Sequence, residues 1–172
     1  MNAKEQCKKI YLEAFDDGDD SFTKMLFENC FEYCRYSVSG DTVTAMLFAL
    51  PCELVCPTHS INTIYLYAVA TLKDYRGQGI MSELIEKIKK QSQNTLLLLR
   101  PIDNSVISFY KRLGFKETAV DNRTSGLPFV KPLGGYRELA KAVGCDGESF
   151  TAMYFSQTER IPSKISFKDS MP

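Results

Sequence analysis

Between Ile61 and Arg100 the chain reads as an extended run, a loop with two glycines, an amphipathic helix and a second apolar run. No other stretch constrains the fold as tightly. Ile61 to Thr71 is rich in β-branched and aromatic residues. Its alternation predicts a strand with Ile64, Leu66, Ala68 and Ala70 on one face and Tyr65, Tyr67, Val69 and Thr71 on the other. From Ile80 the period changes. Ile80, Met81, Leu84, Ile85 and Ile88 recur at helical spacing, with Glu83, Glu86, Lys87, Lys89 and Lys90 on the other side. Early acids and late lysines suit the helix dipole, and Glu83/Lys87 and Glu86/Lys90 are i,i+4 pairs. Thr95 to Arg100 then carries four consecutive leucines, as a strand covered on both faces does. Strand, helix and buried strand form a β-α-β unit, so the two strands are expected to be parallel.

The flanks read as follows. A first helix spans Glu5 to Phe15, and a second runs from Phe22 to Phe31 with Asp20 or Ser21 as its cap. The acidic stretch from Asp16 to Asp20 between them lacks the alternation and distal Glu of a calcium loop and reads as a solvated break. Tyr36 and Val38 lead through Ser39-Gly40-Asp41 into a returning strand, Thr42 to Leu50, and Pro51 to Ser60 is a loop. After Pro101, Asp103 or Asn104 caps a helix with Val106, Phe109, Tyr110 and Leu113 on one stripe and Gly114 as its stop. Phe115 to Val120 is a strand, Asp121 to Gly135 a long loop, Tyr136 to Val143 a short helix, and Ser149 to Phe155 a last strand. Beyond Ser156 the chain is polar and punctuated by proline, which predicts a loosely held tail.

Charge and cysteine content narrow the function. The 172 residues carry 21 Lys and Arg against 21 Asp and Glu, a formal net charge of zero. A non-specific nucleic-acid binder needs a positive excess, so no nucleic-acid partner is expected. No apolar run approaches the ~20 residues that cross a bilayer. Lys4, Glu5, Lys8 and Lys9 stand where a signal peptide would turn apolar, so the expected location is cytoplasmic, with no membrane partner. Cys7, Cys30, Cys34, Cys52, Cys56 and Cys145 read as reduced thiols used as small core residues, with Cys30 and Cys34 one helical turn apart. Cys52, Cys56 and His59 are three metal-ligating types close together, but a structural zinc site needs a fourth ligand, and no metal is expected.

Chemistry concentrates at Arg76-Gly77-Gln78-Gly79, between a strand and a helix. Glycines there let the backbone come close to a ligand and aim N–H groups at one spot, where the helix dipole adds positive potential. Such a place suits a phosphate. A Walker loop would need a Gly-Lys-Ser/Thr that is missing here. The dinucleotide fingerprint needs a third glycine where Ser82 stands.

Val69-Ala70-Thr71-Leu72-Lys73-Asp74-Tyr75-Arg76-Gly77-Gln78-Gly79-Ile80, followed by Asn104-Ser105-Val106-Ile107-Ser108-Phe109-Tyr110-Lys111-Arg112-Leu113-Gly114-Phe115, resembles the GNAT superfamily of acyl-CoA-dependent N-acyltransferases. The first block is similar to the family's pyrophosphate loop, the second to its Asn…Phe-Tyr-x-x-x-Gly-Phe helix. The resemblance implies an α/β (α+β) fold with a mixed, mostly antiparallel sheet, a central splayed parallel strand pair and flanking helices. It also implies acetyl-CoA as co-substrate and an amine acceptor, either a small molecule or a peptide. Val69, Ala70 and Thr71 would offer main-chain groups to the pantetheine arm, one N–H serving the thioester carbonyl. Arg76, Gly77, Gln78, Gly79, Ile80 and Met81 would hold the pyrophosphate, and Asn104 would help hold the arm or act only as a helix cap. Met81 departs from the family's small residue at its position. Tyr110 falls where the family's tyrosine protonates the departing thiolate, a task open to a phenol of ordinary pKa about 10; its place on an apolar stripe also suits simple packing.

Several family members carry a glutamate base eleven residues before the Arg/Gln position; here that residue is Tyr65. Ile61 to Thr71 contains no carboxylate or histidine. Tyr65 and Tyr67 are therefore the candidate relays for a water that takes the acceptor's proton, with Glu53 and Glu32 as remote carboxylates. The implied organisation is one N-acetyltransferase domain over residues 1–155, with a core to 120 and an extension after it, and a polar tail over 156–172. The acceptor-selecting segments are then Asp16–Ser21, Cys52–Ser60 and Asp121–Gly135. Oligomeric state stays open, a homodimer included. A non-catalytic acyl-CoA sensor or scaffold is the rival reading.

Overall fold

The computed structural model describes residues 1–15, 20–133, 149–157 and 161–167. The helix expected at Tyr136 to Val143, most of the acidic break and Cys145 lie outside these residues.

Helix α1, Ala3–Ala14, starts two residues before the expected Glu5 because Asn2 and Glu5 form a reciprocal capping box. Helix α2 spans Asp20–Asn29, so Asp20 lies within it. A hairpin follows, strand β1 at Cys34–Ser39 and strand β2 at Thr42–Val55, antiparallel and turned at Gly40 (φ 58°). Strand β2 runs five residues past the expected end at Leu50, through Pro51. Proline fits there because it offers its carbonyl, which accepts from Leu133 N at 3.0 Å, where a later strand runs beside β2. Strand β3 is Ser60–Thr71, helix α3 Ile80–Gln91 and strand β4 Leu96–Leu99, and β3 pairs with β4 in parallel as the β-α-β reading predicts. Helix α4, Ile107–Arg112, is entered by a 3-10 turn capped by Asp103 and ends at Gly114 (φ 80°). Strand β5 is Lys116–Asp121, β6 Phe129–Pro132, β7 Ser149–Phe155 and β8 Lys164–Ile165.

Among the described residues the sheet order is β1-β2-β3-β4-β7-β5-β8, with β6 on β2. The β1/β2, β2/β6, β4/β7 and β5/β7 ladders are antiparallel; β3/β4 and β5/β8 are parallel. The expected mixed α/β class, mostly antiparallel with a parallel pair and flanking helices, is what the chain adopts. Two further expectations fail. Part of the loop expected after Asp121 is strand β6, whose Val130 is buried. The expected tail supplies β8, with Ile161, Ile165 and Phe167 buried. The signal was Ile165 and Phe167 at strand spacing, hidden among polar neighbours.

The chain divides into two compact units: Met1–Ala49 with Leu66–Gln91, and Leu50–Tyr65 with Ser92–Pro172. The first unit's core gathers Cys7, Ile10 and Tyr11 of α1, Leu26 and Phe27 of α2, Val43 to Ala49 of β2, and the α3 stripe. Phe27 makes edge contacts with both Tyr11 and Phe48. Cys30 and Cys34 are core residues as expected but share no helix, since Cys34 opens β1; its thiol is hydrogen-bonded to Cys7 on α1. Lys89 does not face solvent: it is buried, and its ammonium reaches Glu86 at 2.7 Å, an i,i+3 pair instead of the expected Glu86/Lys90. The second unit centres on Leu96 to Leu99 of β4, all buried, each contributing roughly 2 kcal/mol by removal from water. Among the described residues no helix is long and apolar enough to cross a membrane.

Candidate functional site

Strand β3 hands over to α3 through a tightly tied loop in the first unit. Leu72 N donates to Thr44 O at 2.9 Å, and a 3-10 turn at Lys73–Tyr75 follows. Arg76 Nε donates back to Thr71 O at 3.0 Å, and Gln78 Nε2 to Asp74 O at 3.1 Å. Both side chains thus brace the loop. Gly77 (φ 75°) and Gly79 (φ 81°) lie in the left-handed region, and a Cβ added at either meets nothing within 4 Å. The glycines are required by backbone conformation, and the space beside them is open. Arg76 to Gly79 are exposed. At the start of α3 the N–H groups of Ile80, Met81 and Ser82 have no acceptor inside the helix, and the dipole's positive end adds to them. This donor set, with room to approach, fits an anionic group such as a diphosphate. Met81 causes no obstruction: its side chain is 8% exposed and belongs to the apolar stripe with Leu84, Ile85 and Ile88.

The strand leading into the loop is irregular. Burial alternates at Ile61, Thr63 and Tyr65, then slips one residue to Leu66, Ala68 and Ala70. Ala68 has φ 52°, a left-handed conformation without glycine to signal it. The ladder with β4 covers Thr63 to Tyr65. The expectation that Tyr65 and Tyr67 share a face is therefore corrected. Tyr65 is 5% exposed, its ring edge-on to Phe167 with centroids 5.7 Å apart, whereas Tyr67 is half-buried. Val69 and Thr71 are half-buried and Ala70 is buried.

Of the remaining predicted residues, all but Glu32 lie in the second unit with Tyr65. Tyr110 is buried between the rings of Phe109 and Phe115, at 5.1 and 5.7 Å. Burial pushes its phenol up to about 12, above the ordinary value on which the acid role was argued. Asn104 is exposed and does not cap: Asp103 accepts from Ser105 N at 2.6 Å and takes that task. Glu53 is half-buried on β2, in register with Lys131; Glu32, in the first unit, is exposed. Cys52 is buried with Sγ on Leu50 O at 3.5 Å, and the His59 ring meets Thr58 Oγ1 at 3.1 Å. Among the described residues no three metal-ligating side chains gather. The structure thus brings Tyr67, Val69 to Thr71 and Arg76 to Met81 together in one unit, and Tyr65, Asn104 and Tyr110 in the other.

Two residues escaped the sequence reading. Asn122 is 1% exposed, and its Oδ1 accepts from Phe167 N at 2.8 Å and Ser166 Oγ at 3.3 Å. Phe167 is held by that bond against Tyr65. Their sequence separation of 45 leaves no local signal.

Comparison with known proteins gives a consistent result. Residues 34–117 match the family model described as an acetyltransferase (GNAT) domain. A Schizosaccharomyces pombe protein named N-alpha-acetyltransferase 30 is 38% identical over 56 residues, covering 30% of this chain and 37% of that one. The chain therefore spans well under half the length of that relative. A crystal structure of an aminoglycoside 6'-N-acetyltransferase complexed with coenzyme A superposes with TM-score 0.61 at 12% identity, covering 92% of this chain and 93% of the other. An Arabidopsis thaliana protein in complex with the bisubstrate analogue CoA-Ac-MVNAL does so with TM-score 0.57 at 17% identity, covering 91% and 95%. At these identities the two structures establish the shared fold.

Proposed function

We propose that this chain, a member of the GNAT acetyltransferase superfamily by its domain match over residues 34–117, moves an acetyl group from acetyl-CoA to an amine by direct attack. The observation that carries the reading is the loop from Arg76 to Met81, with two left-handed glycines, open space at both and the first turn of a twelve-residue helix behind them. Acetyl-CoA supplies the activated acyl group. The chain's part is to hold the diphosphate through the N–H groups of Gly77 to Met81, with Arg76 bracing the loop. Main-chain groups of Val69, Ala70 and Thr71 line up the pantetheine arm, and one N–H donates to the thioester carbonyl as charge develops there. Asn104, released from capping by Asp103, is free to contact the arm.

Tyr110 is the proposed donor to the departing thiolate. With the phenol at about 12 and an ordinary thiol near 8.5, full proton transfer is uphill by on the order of 5 kcal/mol. Tyr110 therefore acts by donating a hydrogen bond that strengthens as negative charge grows on sulfur. Tyr65 and Tyr67 relay the acceptor's proton through water, with Glu53 and Glu32 as remote carboxylates. The acceptor is a small-molecule or peptide amine. Nucleic acid and membrane play no part in the reading. Among the described residues the cysteines form no disulfide, which suits a reducing compartment and supports a cytoplasmic setting.

A second reading, acyl-CoA binding without turnover, draws on β3 having no carboxylate or histidine between Ile61 and Thr71. Titration of acetyl-CoA into the protein by calorimetry tests the loop assignment. Thiol release from acetyl-CoA over a panel of peptides with free amino termini, aminoglycosides and simple diamines then separates enzyme from binder. Saturable thiol release that depends on one of these amines supports the transferase; binding with no release across the panel supports the sensor.

A further inference from the structure

The segment from Ile161 to Phe167 is fastened to the second unit along its whole length. Thr118 Oγ1 donates to Pro162 O at 3.2 Å, and Ala119 N to Ser163 O at 3.3 Å. Lys164 Nζ lies 3.5 Å from Asp121 Oδ2. Ser166 N donates to Pro128 O at 2.8 Å, Val130 N donates to Ser166 O at 2.9 Å, and Asn122 Oδ1 accepts from Phe167 N. So many bonds on seven residues bring one side chain to a defined place. Phe167 packs tilted on Phe150 at 5.7 Å, and the Arg100 guanidinium stands over the far ring at 4.4 Å. The row ends where the Phe167 ring meets Tyr65 edge-on.

Tyr65 stands where the burial pattern of its strand changes. It is the last β3 residue in the ladder with β4, and the alternation of the strand slips immediately after it. Its ring packs edge-on against Phe167 of the C-terminal segment, with centroids 5.7 Å apart. We propose that Phe167 is a positioning residue for Tyr65, and that the strap Ile161–Phe167 is thereby part of the transferase machinery. The inference rests on the transferase reading and on Tyr65 relaying the acceptor's proton.

The test is a double-mutant cycle in the full chain, with acetyl-CoA and whichever amine of the panel turns over fastest. Phe167→Ala is expected to lower kcat about tenfold while the acetyl-CoA Kd stays unchanged, because the loop that holds the diphosphate is untouched. Phe167→Tyr, which keeps the ring, should retain kcat within about twofold of wild type. In a Tyr65→Phe background the Phe167→Ala change should cost nothing further, since the hydroxyl it served is gone. An equal loss in both backgrounds overturns the proposal, as does an unchanged kcat in a folded Phe167→Ala protein. If that variant does not melt cooperatively, Phe167→Leu, which keeps apolar volume without a ring, is read by the same criteria. A wild-type chain that releases no thiol with any amine fails the transferase reading and takes this proposal with it; turnover with an additive cycle fails the positioning role alone.

Discussion

The loop at Arg76–Gly79 and the strap at Ile161–Phe167 both hold candidate site residues in place, by opposite means. The loop is closed by hydrogen bonds that span three to five residues, such as Arg76 Nε to Thr71 O and Gln78 Nε2 to Asp74 O. The strap is closed by bonds that span 36 to 45 residues, the longest from Phe167 N to Asn122 Oδ1. Local closure writes itself into the sequence as glycine, proline and periodicity. Distant closure places residues that look ordinary where they stand. The contrast also bears on energy: a bond inside a loop costs little chain entropy, whereas the strap must offset a long closure through burial and satisfied polar groups.

The largest expected effect tests the local side. Gly79→Glu places a carboxylate beside the proposed diphosphate donors and forces a side chain into a left-handed backbone. Acetyl-CoA affinity measured by calorimetry should fall at least about a hundredfold, about 2.7 kcal/mol. Gly79→Ala is the sharper control. An alanine Cβ meets no atom within 4 Å, so it pays only the conformational penalty of about 1 kcal/mol and keeps most of the affinity. Equal affinity in the wild type and the Glu variant would remove the loop from the site.

On the distant side, Asn122→Ala leaves Phe167 N–H and the Ser166 hydroxyl without their buried acceptor. The expected cost is about 2 kcal/mol of folding stability by denaturant titration, with the acetyl-CoA Kd unchanged. If Asn122→Ala weakened acetyl-CoA binding while Gly79→Glu did not, the roles given to loop and strap would be reversed.

The same contrast explains what the sequence disclosed. The amphipathic α3, the run Leu96 to Leu99, the stop at Gly114 and strand Ser149–Phe155 rest on signals within one element, and the structure has them. Strand β2 through Pro51 was hidden because its partner β6 lies about eighty residues on, within a stretch full of turn residues. The slip after Tyr65 was hidden because neither Tyr65 nor Leu66 is a glycine or proline that would mark it. That slip separates Tyr65 from Tyr67, so the face they were expected to share is a strand-phase error. Family motifs located the loop and Tyr110, but only burial reveals that the Tyr110 phenol is held above its ordinary range.

Tyr110→Phe sharpens that point. It should leave acetyl-CoA affinity intact and lower kcat about tenfold, about 1.4 kcal/mol of transition-state stabilisation. Because the folded phenol sits at about 12, no loss of rate below about pH 11 should trace to its ionisation. Absorbance titration of tyrosinate should lose one late-titrating group in the variant. A wild-type rate that falls with an apparent pKa near 10, and does so only when Tyr110 is present, would contradict the burial argument.

The smallest effect concerns the strap's ionic fastening. Asp121 is held down at about 2, first by the Arg123 N–H and then by the Thr124 hydroxyl, with Lys164 of the strap adding to the effect. A carboxylate whose folded pKa lies below its unfolded value of about 3.9 stabilises the fold above that unfolded value. The contribution shrinks as pH falls towards 2. Asp121→Asn should therefore melt a little below wild type at pH 6, and the two should converge by about pH 2. A gap that persists undiminished in acid would assign the effect to lost hydrogen bonds rather than to charge. Acetyl-CoA affinity should not change at either pH, because the local loop closes without the strap's ions.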